Sequence, residues 1–231
     1  MTPQQLLLNI RPETAESLDN FVIGDNTELL ARLRAQTDPG SMDQIYLWGP
    51  PGSGRSHLLR GVARLAQARA RPVSFSEGAG LASEPELPPG TLLIVDDIDD
   101  MGEIAQISLF RTFNAARVNG LALLLSGSTP PLRLKSALRE DLRTRIGSAL
   151  IYELQPLSDV EKAIALRRHG DGRGMRIDDA LIDYLLHHGR RDLPSLMAVL
   201  DALDRTSLEQ QRPLTLPLLR EVLQTSLELN P

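Results

Sequence analysis

Residues 49–56, Gly-Pro-Pro-Gly-Ser-Gly-Arg-Ser, combine glycines with a cation and a hydroxyl in a pattern that binds phosphate. They match the sequence G-x-x-x-x-G-K-[ST] at every position except Arg55, where lysine is usual. Glycines let backbone N–H groups turn inward around phosphate oxygens, and a helix starting near Arg55 adds its positive N-terminal end. Ser56 is then placed to hold Mg²⁺. The predicted nucleotide contacts are Gly49, Pro50, Pro51, Gly52, Ser53, Gly54, Arg55, Ser56 and His57.

Arg55 changes what this loop is expected to do. Arginine keeps the positive charge of lysine but is larger and forked, so we expect phosphate binding to persist while fast hydrolysis in this subunit is in doubt. Only Lys135 and Lys162 are lysines among 25 basic residues, so a general bias toward arginine also accounts for the exchange. The alternative interpretation is a Gly-Pro turn between a strand and a helix with no ligand.

A second candidate site follows the apolar segment 92–95, which ends in Asp96 and Asp97. Ligands of open α/β sheets bind at the carboxyl ends of parallel strands, so two acids at this point favour a functional role. Asp96 would orient Mg²⁺ through water, and Asp97 would position or polarise an attacking water. The alternative is a solvated turn, since Asp99 and Asp100 follow.

The elements around these motifs alternate between strands and helices. Alternation of this kind predicts a parallel sheet in an α/β fold. The predicted strands are residues 44–48, 73–75, 92–95, 121–126 and 149–154. The predicted helices are residues 55–69, residues 104–118, and a first one that Asn26 caps and that runs to about Leu33.

The pattern changes near residue 156, after which only helical periodicity is found. Ser158 and Glu161 form a capping-box pattern, and three more helices are predicted to start at Asp178, Leu193 and Thr215. We predict three regions, which are an N-terminal tail over residues 1–17, an α/β base over residues 18–155, and a helical lid over residues 156–231.

Composition limits the classes of partner. The net charge is −5 and aromatic residues make up 3%, which argues against broad electrostatic binding to nucleic acid and against a base-stacking platform. The chain has no cysteine, and no apolar run approaches the roughly 18 residues that cross a membrane. With no basic start typical of a secretory signal, we expect a cytoplasmic protein that does not contact membranes.

Several segments together resemble the AAA+ core of DnaA and its relatives. They are residues 20–26, residues 49–56, Asp96-Asp97, residues 121–131, residues 138–145, residues 155–159 and residues 191–193. The resemblance implies a P-loop base with a five-stranded parallel sheet and a small all-α lid. It places the sensor-2 arginine at Arg191 and sensor 1 at Ser128, where this family usually has a carboxylate or an amide.

Within this family the resemblance points to the Hda group of DnaA regulators, because we expect neither the long N-terminal region nor the helix-turn-helix domain of DnaA. Gln5, Leu8 and Ile10 in the tail also resemble a sliding-clamp-binding motif, although a Leu-rich N-terminus is more often a strand fragment or a staple on the core. The implied partners are DnaA and the DNA polymerase III sliding clamp (beta), with DNA reached only through the clamp and with a homo-oligomer possible.

The implied function is negative regulation of replication initiation by a chain that holds ADP (or ATP) and Mg²⁺. Together with the DNA-loaded clamp it stimulates hydrolysis of DnaA-bound ATP through an arginine finger, acting in trans rather than as an efficient ATPase. Arg145 is the candidate finger, and Arg139 and Arg143 are near enough in sequence to confuse the assignment. Two alternatives are a self-sufficient ATPase such as a helicase loader and a binding module in which the nucleotide is only structural.

Overall fold

The computed structural model of the 231-residue chain describes residues 16–19, 21–81, 87–190 and 192–228. The chain divides after Pro156 into two compact units. Glu16–Pro156 form the first unit, and the residues from Leu157 onward belong to the second. Among the described residues, none of the helices is both long and apolar enough to span a membrane.

The first unit is built on a five-stranded sheet in which every neighbouring pair is parallel, which confirms the predicted α/β class. The spatial order is β2-β3-β4-β1-β5. The strands are β1 Gln44–Trp48, β2 Val73–Glu77, β3 Leu92–Asp96, β4 Ala122–Gly127 and β5 Leu150–Glu153. Each of the five predicted strands is therefore present, with ends that differ by at most two residues.

In the described part of this unit, four helices accompany the sheet. They are α1 Thr27–Gln36, α2 Arg55–Ala68, α3 Glu103–Ala115 and α4 Glu140–Gly147. Short 3₁₀ turns cover residues 78–80, 98–100 and 131–136. α3 ends three residues before the predicted Val118, which lies in the turn leading to β4 and is exposed.

The core lies on both faces of the sheet, which explains the continuous apolar runs. Every residue of β3 and β4 is buried. Alternate residues of β3 point to opposite faces, so Leu93 packs in one apolar cluster and Leu92 in the other. Strands covered on both faces read as near-continuous hydrophobic segments rather than alternating ones.

Asn26 precedes α1 as predicted, but its side chain does not cap the helix. The amide instead donates to the carbonyl oxygens of Ile23 and Gln155 and accepts from the backbone N–H of Gln155. The prediction that Asn26 is a helix cap is therefore wrong, because a long-range contact takes the side-chain oxygen that a cap would use.

The second unit contains helices α5 Asp159–Gly172, α6 Asp179–His188, α7 Leu193–Gln210 and α8 Leu216–Glu228. The predicted capping box at Ser158 is confirmed, since its hydroxyl accepts from the N–H of Glu161 and the Glu161 carboxylate accepts from the N–H of Ser158. Asp178 and Asp192 cap α6 and α7 in the ordinary way. Leucines from α6, α7 and α8 form the shared core of this unit.

Candidate functional site

The phosphate loop, residues 49–56, runs from the end of β1 into the start of α2. Gly52 and Gly54 have positive φ angles of 77° and 100°, which are conformations that residues with a Cβ rarely adopt. A Cβ at Gly54 would also lie 3.0 Å from the ring of Phe21. These glycines bring the loop around to the N-terminus of α2, where unpaired backbone N–H groups favour an anion.

Two polar groups of this loop are buried without a hydrogen-bond partner. They are the hydroxyl of Ser53 and the Nη1 nitrogen of Arg55. Buried donors are nearly always satisfied in folded proteins, so two orphans in one loop indicate that a ligand supplies their acceptor. Phosphate oxygens are the acceptors that suit a guanidinium and a hydroxyl beside a helix N-terminus, so the loop residues fit a bound nucleotide.

His57 follows the loop in the first turn of α2. Its Nε2 lies 3.1 Å from the carbonyl oxygen of Ser17, and its ring lies 5.7 Å from the ring of Phe21. The His57 ring is therefore engaged with the segment that precedes α1. Its predicted nucleotide contact stays a prediction.

Asp96 is the last residue of β3, and only 4% of it is exposed. Its carboxylate accepts a short hydrogen bond from the hydroxyl of Ser126 on the neighbouring strand β4. The same hydroxyl accepts from the backbone N–H of Asp97 at 3.0 Å. Ser126 thereby holds one carboxylate oxygen of Asp96 in place, and the predicted Mg²⁺ contact of Asp96 stays a prediction.

Asp97 adopts a left-handed backbone conformation, with φ 50°, and its carboxylate faces the phosphate loop. Asp97 Oδ1 lies 3.0 Å from Arg55 Nη2, in a pair whose side chains are 46% and 11% exposed respectively. Burial raises the pKa of Asp97, the guanidinium of Arg55 lowers it, and the negative charges of Asp96, Asp99 and Asp100 raise it further. The ion pair joins the two motifs that the sequence predicted separately.

Asp99 does not lie in a solvated turn. Its Oδ2 accepts from the backbone N–H of Ser128 at 2.5 Å, and its Oδ1 is buried without a partner. Nearby, the hydroxyl of Tyr46 donates to the carbonyl oxygen of Thr129 at 2.6 Å, and burial raises the Tyr46 pKa. These contacts fix the segment after β4, where the sensor-1 position was predicted, against the acidic end of β3.

The three candidate finger arginines differ in their surroundings. Arg139 pairs with Glu103 and Asp141. Arg145 is exposed on the last turn of α4, and within the described ranges its guanidinium has neither an ion pair nor a hydrogen bond. Arg143 is half-buried and likewise unpaired among the residues described. Arg145 is therefore the most accessible cation of the three.

Other predicted positions lie outside the described residues. They are Gln5, Leu8, Ile10 and Arg191. Within the part of the chain that is described, no three histidine or acidic side chains are grouped as metal ligands. A Mg²⁺ ion here would take few protein ligands, which suits an ion that is usually held by one or two side chains together with substrate phosphates.

Two residues of this site were missed in the sequence. Ser126 donates to Asp96 from a position 30 residues further along the chain. Asp99, in a turn that the sequence suggested was solvated, accepts from the backbone N–H of Ser128. The one available signal for Ser126 was a polar residue inside an otherwise apolar buried strand. Such a residue is normally hydrogen-bonded, and here its partner is the carboxylate on the next strand.

The comparisons with known proteins agree with this geometry. Domain III of the replication initiation protein DnaA from Thermotoga maritima is similar with a TM-score of 0.78 and 17% identity, over 93% of this chain and 98% of that one. AMPPCP-bound DnaA from Aquifex aeolicus gives 0.70 and 18%, over 83% and 66%. A single-substitution variant of RuvB from Thermotoga maritima gives 0.73 and 19%, over 91% and 72%.

At such low identities these likenesses establish the fold. A family model provides a second, sequence-based finding, since the one described as the lid domain of Hda matches residues 159–223. That match covers α5 to α7 and most of α8. The chain therefore has the fold of DnaA domain III, and residues 159–223 in its second unit are similar to the lid domain of Hda.

Proposed function

We propose that this protein is a negative regulator of replication initiation that stimulates hydrolysis of DnaA-bound ATP, with Arg145 acting as an arginine finger. A cation that reaches a neighbour's nucleotide must be exposed and must not be neutralised by its own chain. Arg145 meets both conditions in the described structure, whereas Arg139 is held in two ion pairs. This contrast is the observation that carries the proposal.

A finger of this kind acts by stabilising charge on the transferring phosphoryl group. The presence of such an arginine raises the hydrolysis rate by a factor of about 10³–10⁵. Arg145 lies in the last turn of the eight-residue helix α4, whose Leu142 and Ile146 are buried, so the helix is anchored while the Arg145 side chain is exposed. Anchoring limits the side-chain and backbone freedom that would be lost on docking.

The nucleotide held by the chain itself is proposed to be ADP (or ATP). Its phosphates would contact the loop from Gly49 to Ser56, including the orphaned donors of Ser53 and Arg55. Ser56 and Asp96 would hold Mg²⁺, which when bound neutralises charge on the phosphate oxygens. The bound nucleotide orders the loop, and Arg191 is proposed to couple its presence to the lid.

The tail is proposed to bind the DNA-loaded sliding clamp. Leu8 and Ile10 would enter an apolar pocket, and Gln5 would hydrogen-bond at its edge, as an extended peptide does when it orders on binding. Clamp binding would raise the effective concentration of Arg145 near DnaA without any new contact between the two proteins.

A reconstituted reaction tests this function. It contains ATP-loaded DnaA, DNA-loaded clamp and this protein, and the conversion of bound ATP to ADP is measured. We expect wild type to accelerate conversion, and Arg145→Ala and Gln5→Ala/Leu8→Ala each to lose the acceleration. Arg117→Ala removes a different exposed arginine, beyond the end of α3, and should behave as wild type. Equal rates for all four proteins would refute the proposal.

A further inference from the structure

The two terminal nitrogens of Arg55 have different surroundings. Its Nη2 is 3.0 Å from Asp97 Oδ1, while its Nη1 is buried in the phosphate loop with no hydrogen-bond partner. A guanidinium presents its donors in a rigid planar fork, so two terminal nitrogens serve two acceptors at the same time. The ammonium of a lysine is a compact point charge and does not span two separate acceptors in this way.

We propose, building on the nucleotide site of the proposed function, that Arg55 bridges the terminal phosphate of the bound nucleotide and Asp97, and thereby makes this loop retain its nucleotide instead of hydrolysing it. Both terminal nitrogens of the Arg55 guanidinium take part in this bridge. Nη1 donates to the phosphate, and Nη2 keeps Asp97 in its ion pair. Arg55 is in this sense a positioning residue that decides the fate of the nucleotide.

The ion pair withdraws Asp97 from the reaction that an acid at this position supports. In ATP hydrolysis a water oxygen bonds to the γ-phosphorus as the bond from that phosphorus to the bridging oxygen breaks, and a proton of the water passes to a base. A carboxylate that already accepts from a guanidinium orients and deprotonates water less well. The left-handed backbone of Asp97, whose N–H is held by Ser126, keeps the carboxylate beside Arg55.

The exchange Arg55→Lys tests the bridge, because lysine keeps the charge and loses the fork. We expect binding of a fluorescent ADP analogue to persist, and single-turnover hydrolysis of bound ATP to rise roughly tenfold or more as Asp97 is released. That gain is smaller than the rate factor of about 10²–10⁴ that a positioned general base contributes. The double variant Arg55→Lys/Asp97→Asn should lose the gain. A single variant that binds nucleotide and hydrolyses ATP no faster than wild type would overturn the bridge.

A spectroscopic measurement covers the case in which Arg55→Lys binds poorly. The side-chain N–H signals of Arg55 in ¹⁵N-labelled protein are identified by their absence in Arg55→Lys. We expect ADP to shift them, and Asp97→Asn to shift them both without and with ADP. Asp100→Asn is the matched control, since Asp100 is exposed and nearby, and it should leave them in place.

The possible outcomes separate the two proposals. If Asp97→Asn changes the Arg55 signals only in the absence of ADP, the phosphate breaks the ion pair and the bridge is refuted, although nucleotide binding stands. If ADP does not shift these signals and the fluorescent ADP analogue does not bind to wild type, the nucleotide site itself is refuted, and the bridge is refuted with it.

Discussion

The hydroxyl of Ser126 supports the acidic end of β3 through two hydrogen bonds, one to the carboxylate of Asp96 and one from the N–H of Asp97. Ser126→Ala would leave both partners unsatisfied in a buried place. We expect this change to lower the free energy of unfolding by about 1–3 kcal/mol, as unpaired buried groups do. Urea denaturation followed by circular dichroism measures it.

Ser128→Ala provides the comparison for this prediction. The backbone N–H of Ser128 is bonded to Asp99, while its hydroxyl makes no hydrogen bond within the described part of the chain. Alanine keeps that backbone contact, so the change in unfolding free energy should stay within about 0.5 kcal/mol. Equal losses for the two variants would show that Ser126 has no special role in holding the carboxylate.

The sequence predicted those side chains of the site that lie close together in one short motif. Gly49 to Ser56 follow one after another, and Asp96 and Asp97 end a run of apolar residues, so spacing alone places them. Ser126 and Asp99 were not found because their roles depend on which strands are neighbours. The order β3-β4 is a property of the sheet and not of any short segment. The ion pair of Arg55 with Asp97 was missed for the same reason.

The connections between elements also depend on buried polar groups. Arg71 is 2% exposed and stands just before β2. Its guanidinium donates to the carbonyl oxygens of Gln36, Asp38, Ser41 and Gly90, which fastens the loop after α1 to the start of the sheet.

Replacing Arg71 by methionine would keep much of the volume and remove the guanidinium donors of those four carbonyl groups, of which that of Asp38 still accepts from the N–H of Ser41. We expect Arg71→Met to lower the free energy of unfolding by on the order of 3 kcal/mol, measured in urea. Arg69→Ala is the control, because Arg69 contacts Asp38, Thr37 and the Arg34 carbonyl oxygen through a side chain that is 39% exposed, and exposed pairs contribute about 1 kcal/mol or less. A loss for Arg71→Met no greater than that control would contradict the structural role assigned to this arginine.

The first helix of the lid begins with the capping box of Ser158 and Glu161. Ser158→Ala should cost about 1 kcal/mol in unfolding free energy at neutral pH. The hydrogen bonds from Ser158 lower the pKa of Glu161, so their contribution is present above the unfolded pKa of about 4.3 and is lost as the pH falls through the lower folded value.

The difference between wild type and Ser158→Ala should therefore shrink in acid, which denaturation over a pH series measures. Glu161→Gln keeps a hydrogen-bonding group and removes the titrating carboxylate. In the Glu161→Gln background, the cost of Ser158→Ala in unfolding free energy should therefore not change with pH in this range. A cost of Ser158→Ala that is the same at neutral and acid pH in wild type would count against the ionised capping box.

Element types and positions were largely predictable, and the side-chain contacts at their ends were less so. β3 and β4 read as strands because they are buried on both faces, and the lid helices carried their caps in the sequence. Asn26 shows the limit of such rules, since its local pattern is that of a cap and its actual partner is Gln155, far along the chain.

Taken as a whole, the molecule combines an ion-paired aspartate beside its own phosphate loop with an exposed arginine on its surface. Asp97 is paired with Arg55, while the guanidinium of Arg145 has no partner in the residues described. Many functions share one fold, so the surroundings of Asp97 and Arg145 support the proposed function more strongly than the fold does.

The most direct test of that division is the single-turnover rate constant for DnaA-bound ATP when this protein and the DNA-loaded clamp are saturating. Arg145→Ala should lower the rate constant by roughly 10³-fold or more, as loss of an arginine finger does. Arg143→Ala, two residues earlier on the same helix, should stay within a few-fold of wild type. A rate constant that Arg145→Ala leaves unchanged, or that Arg143→Ala lowers more strongly, would contradict the assignment of Arg145 as the finger.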